Sequence, residues 1–126
     1  MSPVPGPTTW AAIAAGAVLG AWLRFALVLG LNRLGQPLPW GTLAANLIGG
    51  FLIGAALALM ERRPEFAAGR PFFVTGFLGA LTTFSTFSAE SLALLHRGAY
   101  APALLHSAVH LIGSLAAAAV GWRLMR

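Results

Sequence analysis

Gly76-Phe77-Leu78-Gly79-Ala80-Leu81-Thr82-Thr83-Phe84-Ser85-Thr86-Phe87-Ser88-Ala89-Glu90 is the run that sets this chain apart from an ordinary apolar protein. It lies in an apolar neighbourhood, yet it carries two glycines, the hydroxyls of Thr82, Thr83, Ser85, Thr86 and Ser88, and an acid. A lipid-facing helix has no use for such a run. Glycines beside paired threonines invite a gap in the helical hydrogen-bond ladder, and irregular backbone at membrane depth is tolerated only where protein buries it or water reaches it. The stretch therefore reads as a transmembrane helix broken in mid-membrane and lining an ion pathway. Carbonyls freed over 79–82 suit a cation, and the restarted helix N-terminus attracts an anion. Phe84 and Phe87 share a helical face, and their positive ring edges can contact a small anion without supplying a full charge. An isolated pair at this spacing is more often plain packing, so the weight lies on its company.

Composition agrees with a membrane setting. The 126 residues are 58% hydrophobic and 9% charged, with mean hydropathy +0.79, whereas a soluble domain carries about 25% charged residues. The net charge is +5, but the eight basic residues are all arginines scattered singly or in pairs, so no nucleic-acid patch forms. Without cysteine there are neither disulfides nor thiolate metal sites. Residues 1–9 hold three prolines and no positive charge, unlike a signal peptide, so the first apolar segment is expected to be retained.

A bilayer core about 30 Å thick needs roughly 20 apolar residues per helix. Four segments meet this, at about 10–31, 40–60, 72–95 and 101–124, and they leave room for one four-helix membrane domain spanning 1–126. Gly16 and Gly20, Gly50 and Gly54, and Gly113, Ala117 and Gly121 make small-residue stripes, which let helices approach closely in lipid. They predict tight packing or self-association. Trp10, Trp22, Trp40 and Trp122 lie mostly near span ends, as interfacial aromatics do. With the N-terminus inside, Arg62, Arg63, Arg70, Arg123 and Arg126 face Arg33 and Arg97 across the membrane, a modest positive-inside bias of five against two.

Polar residues within spans are costly and face partner helices or water. Asn46 is the one amide of the second span; it reads as an interhelical hydrogen bond or as a pore-lining donor. His106, His110 and Ser114 recur every four residues and form one hydrophilic track. The two histidines could share a metal, but no acid or third ligand lies near them in sequence, so the track is read as a path and not as a metal site. Arg24 either snorkels to the interface or faces a vestibule. Glu90 shares a helix face with Thr83 and Thr86.

The stretch 76–87 resembles the signature of the Fluc (CrcB) fluoride channel family. Gly16-Ala17-Val18-Leu19-Gly20-Ala21-Trp22-Leu23-Arg24-Phe25 is similar to its first-helix motif, and Gly41-Thr42-Leu43-Ala44-Ala45-Asn46-Leu47-Ile48-Gly49-Gly50-Phe51 to its second. The resemblance implies an antiparallel, dual-topology homodimer in the cell inner (plasma) membrane that passively exports fluoride. It implies a structural sodium ion at the dimer centre on the backbone carbonyls of Gly79 and Thr82. It gives fluoride-pore roles to Phe84, Phe87 and Asn46, with Ser85 and Thr86 beside them and His106, His110 and Ser114 as the track, and it leaves Arg24 and Glu90 to a vestibule or interface. Two departures stand out: Ala80 replaces a frequent second glycine, and His106 and His110 replace hydroxyl residues.

The alternative is a small four-helix proton-coupled exporter, which needs a membrane acid in its substrate chamber; Glu90 is the one candidate. No nucleophile–base pair supports an enzyme. Histidines that titrate near neutral pH make conduction pH-dependent, and fluoride efflux that stays flat between about pH 5.5 and 8 removes that expectation.

Overall fold

Four apolar segments fold as four spans in a computed structural model that describes residues 3–126. Gly6 and Pro7 start α1 (Pro7–Leu31), where the missing proline N–H costs nothing. Asn32 ends it, and its side-chain oxygen accepts from the Gly41 N–H at 2.6 Å. One amide thus ties the end of α1 to the start of α2 (Trp40–Arg62) and satisfies a donor that a helix N-terminus leaves free.

A 3₁₀ turn, Pro64–Gly69, occupies much of the polar connector. The third span opens as a π-helix, π1 (Pro71–Leu78), which runs directly into α3 (Gly79–Leu81). Thr82 and Thr83 are extended, with ψ of 152° and 123°, and the helix resumes as α4 (Phe84–His96). Gly98, at φ 72°, turns the chain into α5 (Tyr100–Met125). The interruption thus falls on the two threonines, whereas Gly79 keeps helical angles. The reason lies in side chains: Thr82 Oγ1 folds back onto the Leu78 carbonyl at 2.9 Å, and Thr83 Oγ1 caps α4 by accepting from the Thr86 N–H at 3.1 Å. Threonine supplies both ends of the gap.

Two helix pairs hold the chain together, and glycine makes each of them. A side chain at Gly16 or Gly20 would strike the Phe72 or Phe77 carbonyl, and one at Gly76 would strike the Ile13 carbonyl. The first pair is therefore α1 against π1 and α3, backbone to backbone. Likewise a side chain at Gly54 would meet the Ala118 carbonyl, and one at Gly121 the Phe51 carbonyl, so α2 lies on α5. Both pairs run parallel, because each advances in step along its two helices: Asn46 meets His110, Gly50 meets Ser114 and Gly54 meets Ala118. The small-residue stripes thus find partners inside the chain. Ala45, Leu78 and Leu81 form the buried centre, with Leu27, Leu52, Ile53, Phe73 and Phe77 around it.

Outside, the helices show lipid-type surface. Trp10, Phe25, Leu104, Leu111, Ile112 and Leu115 are all largely exposed, and four helices are long and apolar enough to cross a membrane. In water such a surface could not persist; in a bilayer it is the expected exterior.

These contacts make two glycines separable by experiment. Gly54→Leu forces α2 from α5 and should destabilise the protein by about 1–3 kcal/mol. Gly30→Ala, where nothing lies within 4 Å, should leave stability unchanged or raise it by up to about 1 kcal/mol. Thermal unfolding of the two purified variants in detergent checks the contrast.

Candidate functional site

A gap in a membrane helix leaves polar backbone that must be satisfied, and two side chains do so here. The Thr83 N–H, which a continuous helix would direct to the Gly79 carbonyl, donates to Asn46 Oδ1 at 2.8 Å. Asn46 Nδ2 returns the bond to the Thr83 carbonyl at 3.0 Å. The Ala80 carbonyl, another acceptor stranded by the gap, receives Arg24 Nε at 3.0 Å. Arg24 is thus turned inward onto α3 and lines none of the cavities described below. Glycine and threonine signalled the break, but its stabilisers come from 37 and 56 residues away in sequence.

Around the gap the polar side chains stack in three layers, one helical turn apart on α2 and α5. In the first, Thr42 Oγ1 donates to Glu90 Oε1 at 2.5 Å, and Glu90 Oε2 lies 3.5 Å from His106 Nε2. The second joins Asn46, Thr83 and His110; Asn46 Nδ2 donates to His110 Nδ1 at 3.0 Å. This bond makes Nδ1 the acceptor, so a neutral His110 carries its proton on Nε2. The third layer holds Ser114 against Gly50. Phe87 packs on both imidazoles, with centroids 5.1 Å from His106 and 4.8 Å from His110, and Phe84 lies 5.4 Å from Phe87.

Two cavities meet at this stack. One, of about 330 Å³, is lined by Asn46, Thr82, Thr83, Phe84, Phe87, His110 and Ser114 together with Leu111 and Leu115. Its wall holds no carboxylate and no guanidinium. The other, of about 370 Å³, lies across the gap along Gly49, Gly50, Val74, Leu78, Gly79 and Thr82 and shares Asn46 and Ser114. Phe84 is 78% exposed, so the first cavity opens sideways from the protein. A third cavity, of about 250 Å³, lies where the connector between α1 and α2 meets the last turns of α4, and its charged mouth is lined by Asn32, Arg33, Gln36, Glu90 and Arg97 among others.

The structure therefore gathers Asn46, Phe84, Phe87, His110 and Ser114 around one space. It sets Gly79 and Thr82 on the second. His106 is buried behind Phe87 at 1% exposure and lines neither. Ser85 and Thr86 hydroxyls are tied to Thr83 Oγ1, at 3.3 and 3.1 Å, and face the cap instead of the cavity. Asn46 touches the space, but both hydrogens of its Nδ2 are already committed, so it reaches an anion only by releasing one. Helical spacing groups Glu90 with Thr83 and Thr86, but its partners are Thr42 and His106 on neighbouring helices. No pattern along one helix exposes such a pairing.

Replacing Arg24 by Met strands the Ala80 carbonyl and should cost about 1–3 kcal/mol, with Arg24→Lys in between. Thermal melting of the three proteins, compared with protease sensitivity at residues 79–83, checks the assignment.

The family model described as "CrcB-like protein, Camphor Resistance (CrcB)" matches residues 11–122. A protein of Bordetella bronchiseptica named fluoride-specific ion channel FluC is 53% identical over 121 residues, covering 95% of this chain and 93% of the relative. Bearers of the same name from Chromohalobacter salexigens and Aromatoleum aromaticum are 57% and 54% identical, covering 87% and 88% of this chain and 84% and 86% of theirs. With the family model matching residues 11–122, and relatives this similar along most of their length, the chain belongs to the CrcB-like family.

Proposed function

We propose that the protein is a fluoride-selective channel that lets fluoride leave the cell passively across the inner (plasma) membrane. One observation carries this reading beyond the relatives' names: a cavity in mid-span walled by two phenylalanines, an amide, an imidazole and a hydroxyl, with no fixed charge. An anion passing through needs stabilisation in place of its hydration shell, yet conduction requires that it also leave. Ring edges, O–H and N–H groups meet both demands. The restarted helix α4 adds its positive N-terminal end beside Phe84. An exporter driven by protons would need its acid in the chamber; Glu90 instead lines the mouth, hydrogen-bonded to Thr42.

The working unit in this proposal is an antiparallel homodimer of dual topology. The sideways opening at Phe84 supports a second copy closing the path, and the modest arginine bias of five against two is compatible with insertion in both directions. A structural sodium ion would fit at the copies' meeting point. Gly79 has lost its helical donor to Asn46 and is exposed, and it lines the second cavity with Thr82. Neutral carbonyl oxygens suit a hard, singly charged cation. When bound, the ion would neutralise two facing helix C-terminal ends.

Fluoride efflux from proteoliposomes, with chloride as control, tests the function. Fluoride should pass and chloride should not; equal passage of both, or of neither, overturns the reading. Phe84→Ile and Phe87→Ile should each cut fluoride flux by about tenfold or more, from the loss of a ring-edge contact of about 1.4 kcal/mol, while the dimer persists on cross-linking. A tagged C-terminus found on both membrane faces checks the dual topology.

A further inference from the structure

Glu90 on α4 and His106 and His110 on α5 each bring a ligand atom within 4.8 Å of the others. Sequence offered the two histidines without an acid; the fold delivers the acid from another helix. Glu90 Oε2, His106 Nε2 and His110 Nε2 are all buried and make no hydrogen bond among the described residues, although His106 is only 1% and His110 only 5% exposed. Buried polar atoms are normally paired. Three unpaired ones on side chains clustered this closely offer the donor atoms of a metal site.

We propose that Glu90, His106 and His110 bind a transition-metal dication of the zinc class, and that the bound ion closes the passage. The donor set of two imidazoles and one carboxylate with a fourth position open is a recurring zinc arrangement. Imidazole selects zinc, copper or nickel over magnesium, calcium or sodium. His106 Nε2 and Glu90 Oε2 are 3.5 Å apart, long for a charge-assisted hydrogen bond but close to the roughly 3.3 Å edge of a tetrahedron with bonds of about 2.05 Å. Thr42 holds the other carboxylate oxygen, as outer-shell partners of metal ligands do.

Closure follows from position and rests on the channel reading above. Glu90 lines the charged cavity and His110 lines the uncharged one, so an ion held by both side chains stands between the two spaces. Binding at His110 Nε2 also moves that ring's proton to Nδ1, which now accepts from Asn46 Nδ2. The Asn46 amide must then turn away, and Asn46 belongs to the cavity wall. Arg33 and Arg97 face the mouth as well; their charge slows entry of a dication without touching the ligands.

The test separates the site from the channel. Untagged protein in detergent is titrated with Zn2+ by calorimetry and with Co2+ by its visible spectrum. One ion per chain and the absorption of a four- or five-coordinate site are expected. Glu90→Gln and His106→Gln should each weaken binding by more than the roughly 10- to 100-fold that loss of an outer-shell partner costs, while His96→Gln, exposed at the far end of α4, should not. His106→Cys keeps a ligand, so it should retain Co2+ and add a thiolate charge-transfer band even where the glutamine variant misfolds. Failure of the wild-type protein to bind, or equal binding by the Gln variants, overturns the site. In proteoliposomes Zn2+ should stop fluoride efflux and a chelator should restore it; binding with undiminished efflux overturns the closure. A metal-free protein that passes no fluoride counts against the channel reading alone, because binding is read without flux.

Discussion

The pairing of the Asn46 amide with both polar groups of Thr83 lets a membrane helix stop and restart in mid-span. In hydrocarbon each unpaired backbone group costs several kcal/mol, so an unbraced gap at Thr82–Thr83 would close into helix. Asn46 supplies an acceptor for the N–H and a donor for the carbonyl, the complement of an exposed peptide unit. Arg24 adds a third bond at Ala80. With these in place α4 can begin at Phe84, capped by Thr83 Oγ1, and the two phenylalanines sit on its first turn.

That brace depends in turn on glycine. Asn46 reaches Thr83 and His110 together only because α2 and α5 touch backbone to backbone at Gly50, Gly54 and Gly121. Arg24 reaches Ala80 only because Gly16 and Gly20 seat α1 against π1 and α3. A larger residue at these contacts would widen a helix pair beyond the span of a hydrogen bond. Packing and polar satisfaction are therefore one constraint, and the cavities are the volume left over when both are met.

Much of this was legible in the chain itself, for definable reasons. The spans follow from run length and apolar content; the helices extend a few residues past the apolar limits, through Pro7–Thr9 and on to Arg62, because their end turns enter the polar interface. The glycine stripes were readable at fixed spacing, but spacing does not name a partner. Glycines beside paired threonines point to a gap over 79–82; it falls at the end of that range, on Thr82 and Thr83, because threonine can satisfy the ends it exposes. What could not be read were bonds between distant helices. Thr42 to Glu90 spans 48 residues and Arg24 to Ala80 spans 56, and no local period carries such information.

The distribution of charge gives the last constraint. A guanidinium 4 Å from an anion at an effective dielectric of about 20 holds it by about 4 kcal/mol, enough to slow its departure roughly a thousandfold. The chain keeps full charges out of the inner cavity: Arg33, Arg97 and Glu90 stand at the mouth, and Arg24 is turned into α3. What remains inside are partial charges whose attraction is small and spread along the path. Such a wall favours a small, strongly hydrated anion only if several weak donors act together, which is why the three layers of α2, α4 and α5 must keep register. Weak hold and selection would then have the same source, a largely apolar wall set with a few polar edges and no full charge.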